Sequence, residues 1–96
     1  MTDKELFQQK RQAQLDEWQA ELDKLRAQAS GASANAQLQM NKQINTLEKK
    51  IEQGKTKLAE VAETSDEAWE LIKDGVETAW DSMKTAFSDA VAKFKK

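Results

Sequence analysis

Residues 68–94 read AWELIKDGVETAWDSMKTAFSDAVAKF, and the large apolar residues of this stretch recur every eleven positions. Eleven residues complete almost three turns of an α-helix, so the recurring positions form a nearly straight apolar stripe along one side. We call this set the C-terminal stripe; its members are Trp69, Ile72, Val76, Trp80, Met83, Phe87, Val91 and Phe94. A soluble monomer rarely leaves so much contiguous apolar surface exposed, so we expect something to cover the stripe.

The composition predicts an all-α chain of one small domain, residues 1–96. The 96 residues include no Pro and three Gly, and Ala, Gln, Glu, Lys and Leu dominate. These residues lose little side-chain freedom in a helix. A chain this short buries a smaller fraction of its surface than a larger domain does, which favours association with a partner.

The chain lacks most of the side chains that catalysis and metal binding use. It contains no His and no Cys, which excludes the common zinc sites, thiol nucleophiles, imidazole bases and disulfides. The sequence has no Gly-rich phosphate loop, no nucleophile-elbow motif and no carboxylate pair on an apolar face. We therefore expect no enzyme, no catalytic, cofactor-binding or metal-binding residues, and no small-molecule substrate.

Charge and hydropathy argue against two further classes of partner. No apolar run follows Met1, so we expect neither a signal peptide nor a membrane span. We therefore expect a cytoplasmic location. The net charge is -2, with 15 basic and 17 acidic residues mixed along the chain. This balance gives no electrostatic attraction to nucleic acid.

The first thirty residues predict one helix that pairs with the next. Thr2 and Glu5 form a capping-box pattern, which places the helix start at the beginning of the chain. A heptad seam follows, in which Arg11 occupies one position. The predicted core of the hairpin comprises Phe7, Leu15, Trp18, Leu22, Leu25, Leu38, Ile44, Leu47, Ile51 and Leu58.

Residues 30–33 predict the turn of this hairpin. Gly31 suits the left-handed conformation that ends many helices, and Ser33 can cap the next helix. An antiparallel fold-back centred near Gly31 places Leu15 near Leu47, and the apolar positions of the two arms match across the turn.

Two arrangements are open for the rest of the chain. Fourteen large apolar residues from Met40 to Phe94 can be placed within an arc of roughly 120° on a helical wheel. This favours a short arm, residues 2–29, folded against one long arm, residues 34–95. At 1.5 Å per residue the long arm would reach roughly 90 Å. The alternative is a compact three-helix bundle with a break near Thr64 and Ser65, where a second capping-box pattern occurs. The middle helix of a three-helix bundle faces two neighbours, whereas residues 36–62 carry one narrow apolar seam. This favours the long arm.

In the long-arm arrangement the C-terminal stripe extends past the short arm and stays uncovered. We therefore expect a non-enzymatic structural or interaction protein that forms a homo-oligomeric coiled coil through the eight stripe residues. A dimer is the first expectation and a tetramer the second.

A peripheral lipid-surface-binding helix is the alternative function. Lys73, Lys84 and Lys95 share the eleven-residue period and border the stripe, an arrangement suited to the membrane interface. Residues 65–96 carry five Lys and seven acidic residues, so an anionic membrane would not attract this segment.

The chain resembles the small bacterial proteins described as coiled-coil domain-containing, which are of uncharacterised function. The resemblance covers residues 1–29, residues 31–36 and the run from Asp66 to Phe87, with an Ala-Trp pair at positions 68–69 and again at 79–80. By pattern alone, the C-terminal repeat is also similar to the eleven-residue amphipathic helices of apolipoprotein-like proteins. The resemblance implies a bacterial, soluble, helical protein and assigns no site residues.

Overall fold

The computed structural model describes residues 2–94, and within them the fold consists of three helices and no strand. Helix α1 spans Asp3–Ser30, α2 spans Ala34–Glu63 and α3 spans Glu70–Phe94. The all-α prediction is confirmed. The single long arm over residues 34–95 is wrong, because residues 64–69, which we call the linker, separate α2 from α3.

Local capping accounts for the ends of the first two helices. The Thr2 hydroxyl accepts a hydrogen bond from the Glu5 backbone N–H at 3.2 Å, and the Ser33 hydroxyl accepts one from Ala36 at 3.4 Å. Gly31 ends α1 at φ −93° and ψ 1° and donates its N–H to the Gln28 carbonyl. The expected left-handed conformation of Gly31 is therefore absent, and the turn of residues 31–33 is made with negative φ at the glycine.

The linker owes its conformation to the second capping pattern. Thr64 is extended, at φ −83° and ψ 145°, which stops α2. The Ser65 hydroxyl then accepts a hydrogen bond from the Ala68 backbone N–H at 3.2 Å, and the Ser65 carbonyl accepts from the backbone N–H groups of Ala68 and Trp69 at 3.1 Å. Ser65 thus caps a helical turn that leads into α3. The apolar residues keep a constant phase across the linker, but phase describes only where side chains lie around a helix. The hydrogen bonds of a cap act on backbone groups, so they can end a helix whatever the phase of its side chains.

The three helices share one core. The chain measures 51 × 20 × 18 Å along its principal axes, well short of the roughly 90 Å expected of a long arm. Helix α2 lies close to both other helices, while α1 and α3 meet mainly through large side chains. The buried residues are Phe7, Leu15, Leu22, Leu25, Ala29, Ile44, Leu47, Ile51, Leu58, Val61, Trp69, Val76, Trp80, Met83, Phe87 and Ala90.

The structure corrects the predicted hairpin core at Leu38, whose side chain is 65% exposed. Leu38 lies six positions before Ile44, a rotation of about 240° at 100° per residue, so Leu38 lies on the outer side of α2. Trp18 is partly buried, and its ring packs against α3.

The pairing of α1 with α2 also differs from the expected register. Leu15 lies beside Gly54, and Arg26 pairs with Glu48. These partners lie further along α2 than a symmetric fold-back about Gly31 predicts. Side chains on a helix lean toward its N-terminus, which moves such contacts away from the turn by about one position on each helix, so the lean accounts for part of this difference.

Candidate functional site

The C-terminal stripe is covered by the chain itself. Trp69, Val76, Trp80, Met83 and Phe87 are buried, whereas Ile72, Val91 and Phe94 are partly buried. The expectation that the stripe extends past the hairpin uncovered is therefore wrong. The reason is the break at the linker, which lets α3 fold back onto the two helices before it.

Aromatic side chains join α3 to α1. The rings of Phe7 and Trp69 lie 5.3 Å apart between centroids, and those of Trp18 and Phe87 lie 5.9 Å apart with planes inclined by 15°. The Trp80 ring lies 6.3 Å from the Trp18 ring. Aromatic pairs at these separations contribute about 0.5 to 1.5 kcal/mol each beyond the burial of their area. Three of the four aromatic residues on the stripe thus contact α1 side chains that the sequence assigned to an α1–α2 core.

Trp80 occupies the centre of this contact. Its side chain is 1% exposed, and its indole N–H donates to the Arg11 carbonyl of α1 at 3.4 Å. A buried indole N–H without an acceptor would be costly, so this hydrogen bond suits the burial of the ring.

Gly54 lets the three helices meet at one level. An added Cβ there would lie 2.6 Å from Met83 Cε, 3.1 Å from Leu15 Cδ2 and 3.4 Å from Trp80 Cη2. The first distance is shorter than any real carbon contact, so a side chain at position 54 would displace part of the core. The sequence contains a signal for this position, because Gly54 continues the 3-and-4 spacing of the seam between Ile51 and Leu58. By contrast, a Cβ on Gly75 would meet no atom within 4 Å, and Gly75 is exposed.

Arg11 links the seam of α1 to the outer edge of α3. Its guanidinium lies 5.2 Å from the centre of the Phe7 ring, donates to Gln14 Oε1 at 2.8 Å and approaches Glu77 Oε1 at 3.8 Å. Its Nε is buried and has no hydrogen-bond partner. Arg11 thus packs its stem on the core and carries its charge toward the rim, as long cationic side chains commonly do.

Lys4 fastens the start of α1 to the end of α2. Its ammonium donates to the carbonyls of Thr64, at 2.6 Å, and Ala62, at 3.3 Å, and lies 3.6 Å from Asp66 Oδ1. The Lys4 side chain is 13% exposed. The sequence did not point to Lys4, because its acceptors are 58 and 60 residues away in the chain.

The cations expected to flank a lipid-binding face lie at the rim of α3. The Lys73 ammonium lies 5.6 Å from the centre of the Trp69 ring and 4.0 Å from Glu77 Oε1. Lys84 is exposed beside an open groove between α1 and α3, whose apolar wall includes Trp18, Phe87 and Val91. Lys95 lies outside the described residues.

The remaining polar features are surface pairs. Arg26 bonds to Glu48 across α1 and α2, and this hydrogen bond raises the pKa of the Arg26 guanidinium. Because arginine is protonated at all ordinary pH values, the shift does not alter its charge. Among residues 2–94, no group of three acidic side chains is placed to hold a metal ion.

Among known protein families, the model TMP repeat matches the chain at residues 69–79 and 80–90. The two matched units have the eleven-residue length and the Trp69 and Trp80 starting points of the repeat found in the sequence. No curated protein and no solved structure matches the chain. Within residues 2–94, none of the helices has the length of apolar sequence that crossing a bilayer requires.

Proposed function

We propose that this protein is a non-enzymatic interaction protein that associates with a second copy of itself by exchanging α3. In the exchanged dimer, α2 and α3 of each copy form one long helix. The C-terminal stripe of each copy then packs on the α1–α2 hairpin of the other. The contacts that cover the stripe within one chain are remade between two chains, as in domain swapping.

The observation that carries this proposal is the constant phase of the apolar residues across the linker. From Met40 to Phe94 the large apolar residues, with the exception of the exposed Leu71, stay within one arc of roughly 120° at 100° per residue. Two helices joined by a reversal of the chain need no common phase, because each one turns its own apolar side to the core. A continuous helix does need it, since only then do the seam of α2 and the C-terminal stripe lie on one side.

The linker requires little change to become helical. The carbonyl of Ser65 already accepts a hydrogen bond from Trp69, four residues on, as in an α-helix. The extended ψ of Thr64, at 145°, is what separates the two helices. Rotation at Thr64, together with helical dihedral angles at the capping residue Ser65, therefore converts the fold-back into a continuous helix.

The closed monomer and the exchanged dimer bury the same stripe, so small free-energy differences decide which of them is populated. The dimer gains helical hydrogen bonds in the linker and loses the freedom of one chain on association. It is consequently favoured by concentration through mass action. Symmetric dimers of this kind are closed, which limits assembly to two copies.

Two substitutions in the linker test the proposal. Thr64→Ala together with Ser65→Ala removes the cap at the break and raises helix propensity there. We expect this variant to dimerise at lower concentration than the parent chain, with a maximum dimension of roughly 90 Å for the continuous helix. Light scattering coupled to size exclusion gives the mass, and small-angle X-ray scattering gives the dimension.

Thr85→Ala with Ser88→Ala is the matched control, since both residues are exposed within α3. It gains similar helix propensity away from the linker and should keep the mass distribution of the parent. If the linker variant stays monomeric at every concentration, with the dimensions of the closed bundle, self-association by exchange of α3 is wrong.

A lipid surface is the second candidate for the released α3. Lys73 and Lys84 border the stripe at the same eleven-residue interval and would lie at the headgroup level of an interfacial helix. Co-flotation with neutral and anionic vesicles, for the linker variant and its control, tests this candidate. Lipid binding predicts that a larger fraction of the linker variant than of the control floats with the vesicles. Equal flotation of the two, or flotation at the level seen without vesicles, contradicts it. Flotation is preferred to tryptophan emission because Trp69 and Trp80 are already buried in the closed bundle.

A further inference from the structure

We propose that Lys4 is a latch that holds the linker in its broken conformation, so that the first turn of α1 controls the release of α3. This inference rests on the proposed exchange of α3 and assigns its regulation to one side chain. The latch consists of the Lys4 ammonium, its two carbonyl acceptors on Ala62 and Thr64, and the Asp66 carboxylate.

The end of α2 needs a cation that its own sequence does not supply. Its last turn carries Glu60 and Glu63 and no basic residue. The last carbonyls of a helix lack intrahelical partners, and the negative end of the helix dipole adds to the two carboxylates. Lys4 provides the missing positive charge from α1, with its side chain largely removed from water.

The latch and the continuous helix use the same acceptors. In a continuous helix the Ala62 carbonyl accepts from the backbone N–H of residue 66, and the Thr64 carbonyl accepts from that of residue 68. In the closed bundle Lys4 holds both carbonyls, while the Ala68 N–H donates to Ser65. A change of the Thr64 ψ from 145° to a helical value near roughly −42° turns its carbonyl by almost half a revolution, so the hydrogen bond from Lys4 to Thr64 has to break before the helix can run through the linker.

A second contact between α1 and the linker lies close to the latch. Phe7, one turn after Lys4, packs against Trp69 at the other end of the linker, with the ring centroids 5.3 Å apart. The first two turns of α1 thus hold the linker at both of its ends. Loss of Lys4 leaves the aromatic contact in place, so the variant tests the latch without removing the core.

The experiment compares Lys4→Met with Lys10→Met in the full chain. Lys10 is an exposed lysine on the same helix, so both variants lose one positive charge from α1. Lys4→Met removes hydrogen bonds from a charged donor at a helix end. The fraction of chains in which α3 is released should therefore rise roughly fivefold. Because two chains must open to form one dimer, the dimerisation constant should rise about twenty-fivefold for Lys4→Met and stay near the parent value for Lys10→Met. Sedimentation equilibrium measures the constants.

Lys4→Arg is the rescue variant, because arginine keeps the charge and offers several N–H donors. It should bring the dimerisation constant back toward that of the parent. Circular dichroism of each variant verifies that the helix content is kept.

Spin labels give an independent readout in the same variants, since the chain has no native cysteine. Cysteines placed at the exposed positions Thr46 and Ser88 lie 42 residues apart in sequence, which corresponds to roughly 63 Å in a continuous helix. The closed bundle folds α3 back beside α2 and gives a much shorter distance. Lys4→Met should increase the long-distance population, and Lys10→Met should not.

The outcomes separate the latch from the proposed function. If the linker variant forms exchanged dimers but Lys4→Met behaves like Lys10→Met, the latch is wrong and the exchange stands. If Lys4→Met opens the chain to the long distance without forming dimers, the latch stands and self-association is wrong. If no variant shows the long distance or dimers, both are wrong.

Discussion

The α1–α2 hairpin and α3 cover their apolar residues in different ways. The hairpin is joined by a turn of three residues, 31–33, whose caps come from its own neighbourhood in the chain. Helix α3 follows a linker in which the Thr64 carbonyl accepts a hydrogen bond from Lys4, 60 residues earlier in the chain. The hairpin is therefore specified by local sequence, whereas the position of α3 depends on contacts that form only when the bundle has closed.

The narrow apolar seam of α2 is wide enough to pack against both α1 and α3. A helix in a three-helix bundle turns one stripe toward the common axis, and residues on that stripe contact the helices on both sides. Gly54 shows this directly, since its surroundings include Leu15 from α1 and both Met83 and Trp80 from α3. A narrow seam with a glycine in it is thus compatible with a central helix.

The largest effect should come from truncating the anchor of α3. Trp80→Ala removes a fully buried ring and its hydrogen bond to α1, at an expected cost of about 3 to 5 kcal/mol in the free energy of unfolding. Leu71→Ala, at a site 85% exposed on the same helix, should change it by no more than about 0.5 kcal/mol. Urea denaturation followed by circular dichroism measures both. Equal effects would mean that α3 does not pack through the face containing Trp80.

The two helical glycines should respond in opposite directions. Gly54→Leu places a side chain where the three helices meet, and overpacking of this kind costs about 1 to 3 kcal/mol. Gly75→Leu adds the same side chain at an open position and should stabilise α3 by up to about 0.8 kcal/mol, the difference in helix propensity. Thermal unfolding of the pair compares them. A stabilising Gly54→Leu would show that α3 does not approach α2 at this level.

The smallest effect is expected at the surface of the hairpin. Arg26→Gln removes the bond to Glu48, but both side chains are more than two-fifths exposed. Exposed ion pairs contribute about 0.2 to 1 kcal/mol, so the free energy of unfolding should fall by less than this upper value. The difference should shrink as salt is raised from low to molar concentration. A large, salt-independent loss would mean that the hairpin depends on this pair rather than on its apolar seam.

Much of the helical structure could be predicted from residue pattern. The caps at Thr2 and Ser33, the chain reversal near Gly31 and the apolar face of residues 69–94 follow from short-range rules that act within a few turns. The capping pattern at residues 64–67 was also visible, but the constant phase of the stripe favoured a continuous helix. The capping pattern and the constant phase are both present, and the sequence of the linker does not show which of the two decides its conformation.

The sequence by itself determined that the chain is helical, where α1 and α2 begin, and which side of the C-terminal segment is apolar, because capping and periodicity are properties of neighbouring residues. The tertiary structure decided between a break at Thr64, which local capping allows, and a continuous helix. It also placed Lys4 on the carbonyls there and brought the rings of Phe7 and Trp18 against those of Trp69 and Phe87 on α3. These outcomes depend on groups far apart in the chain, whose contact free energy exists only once three helices share one core.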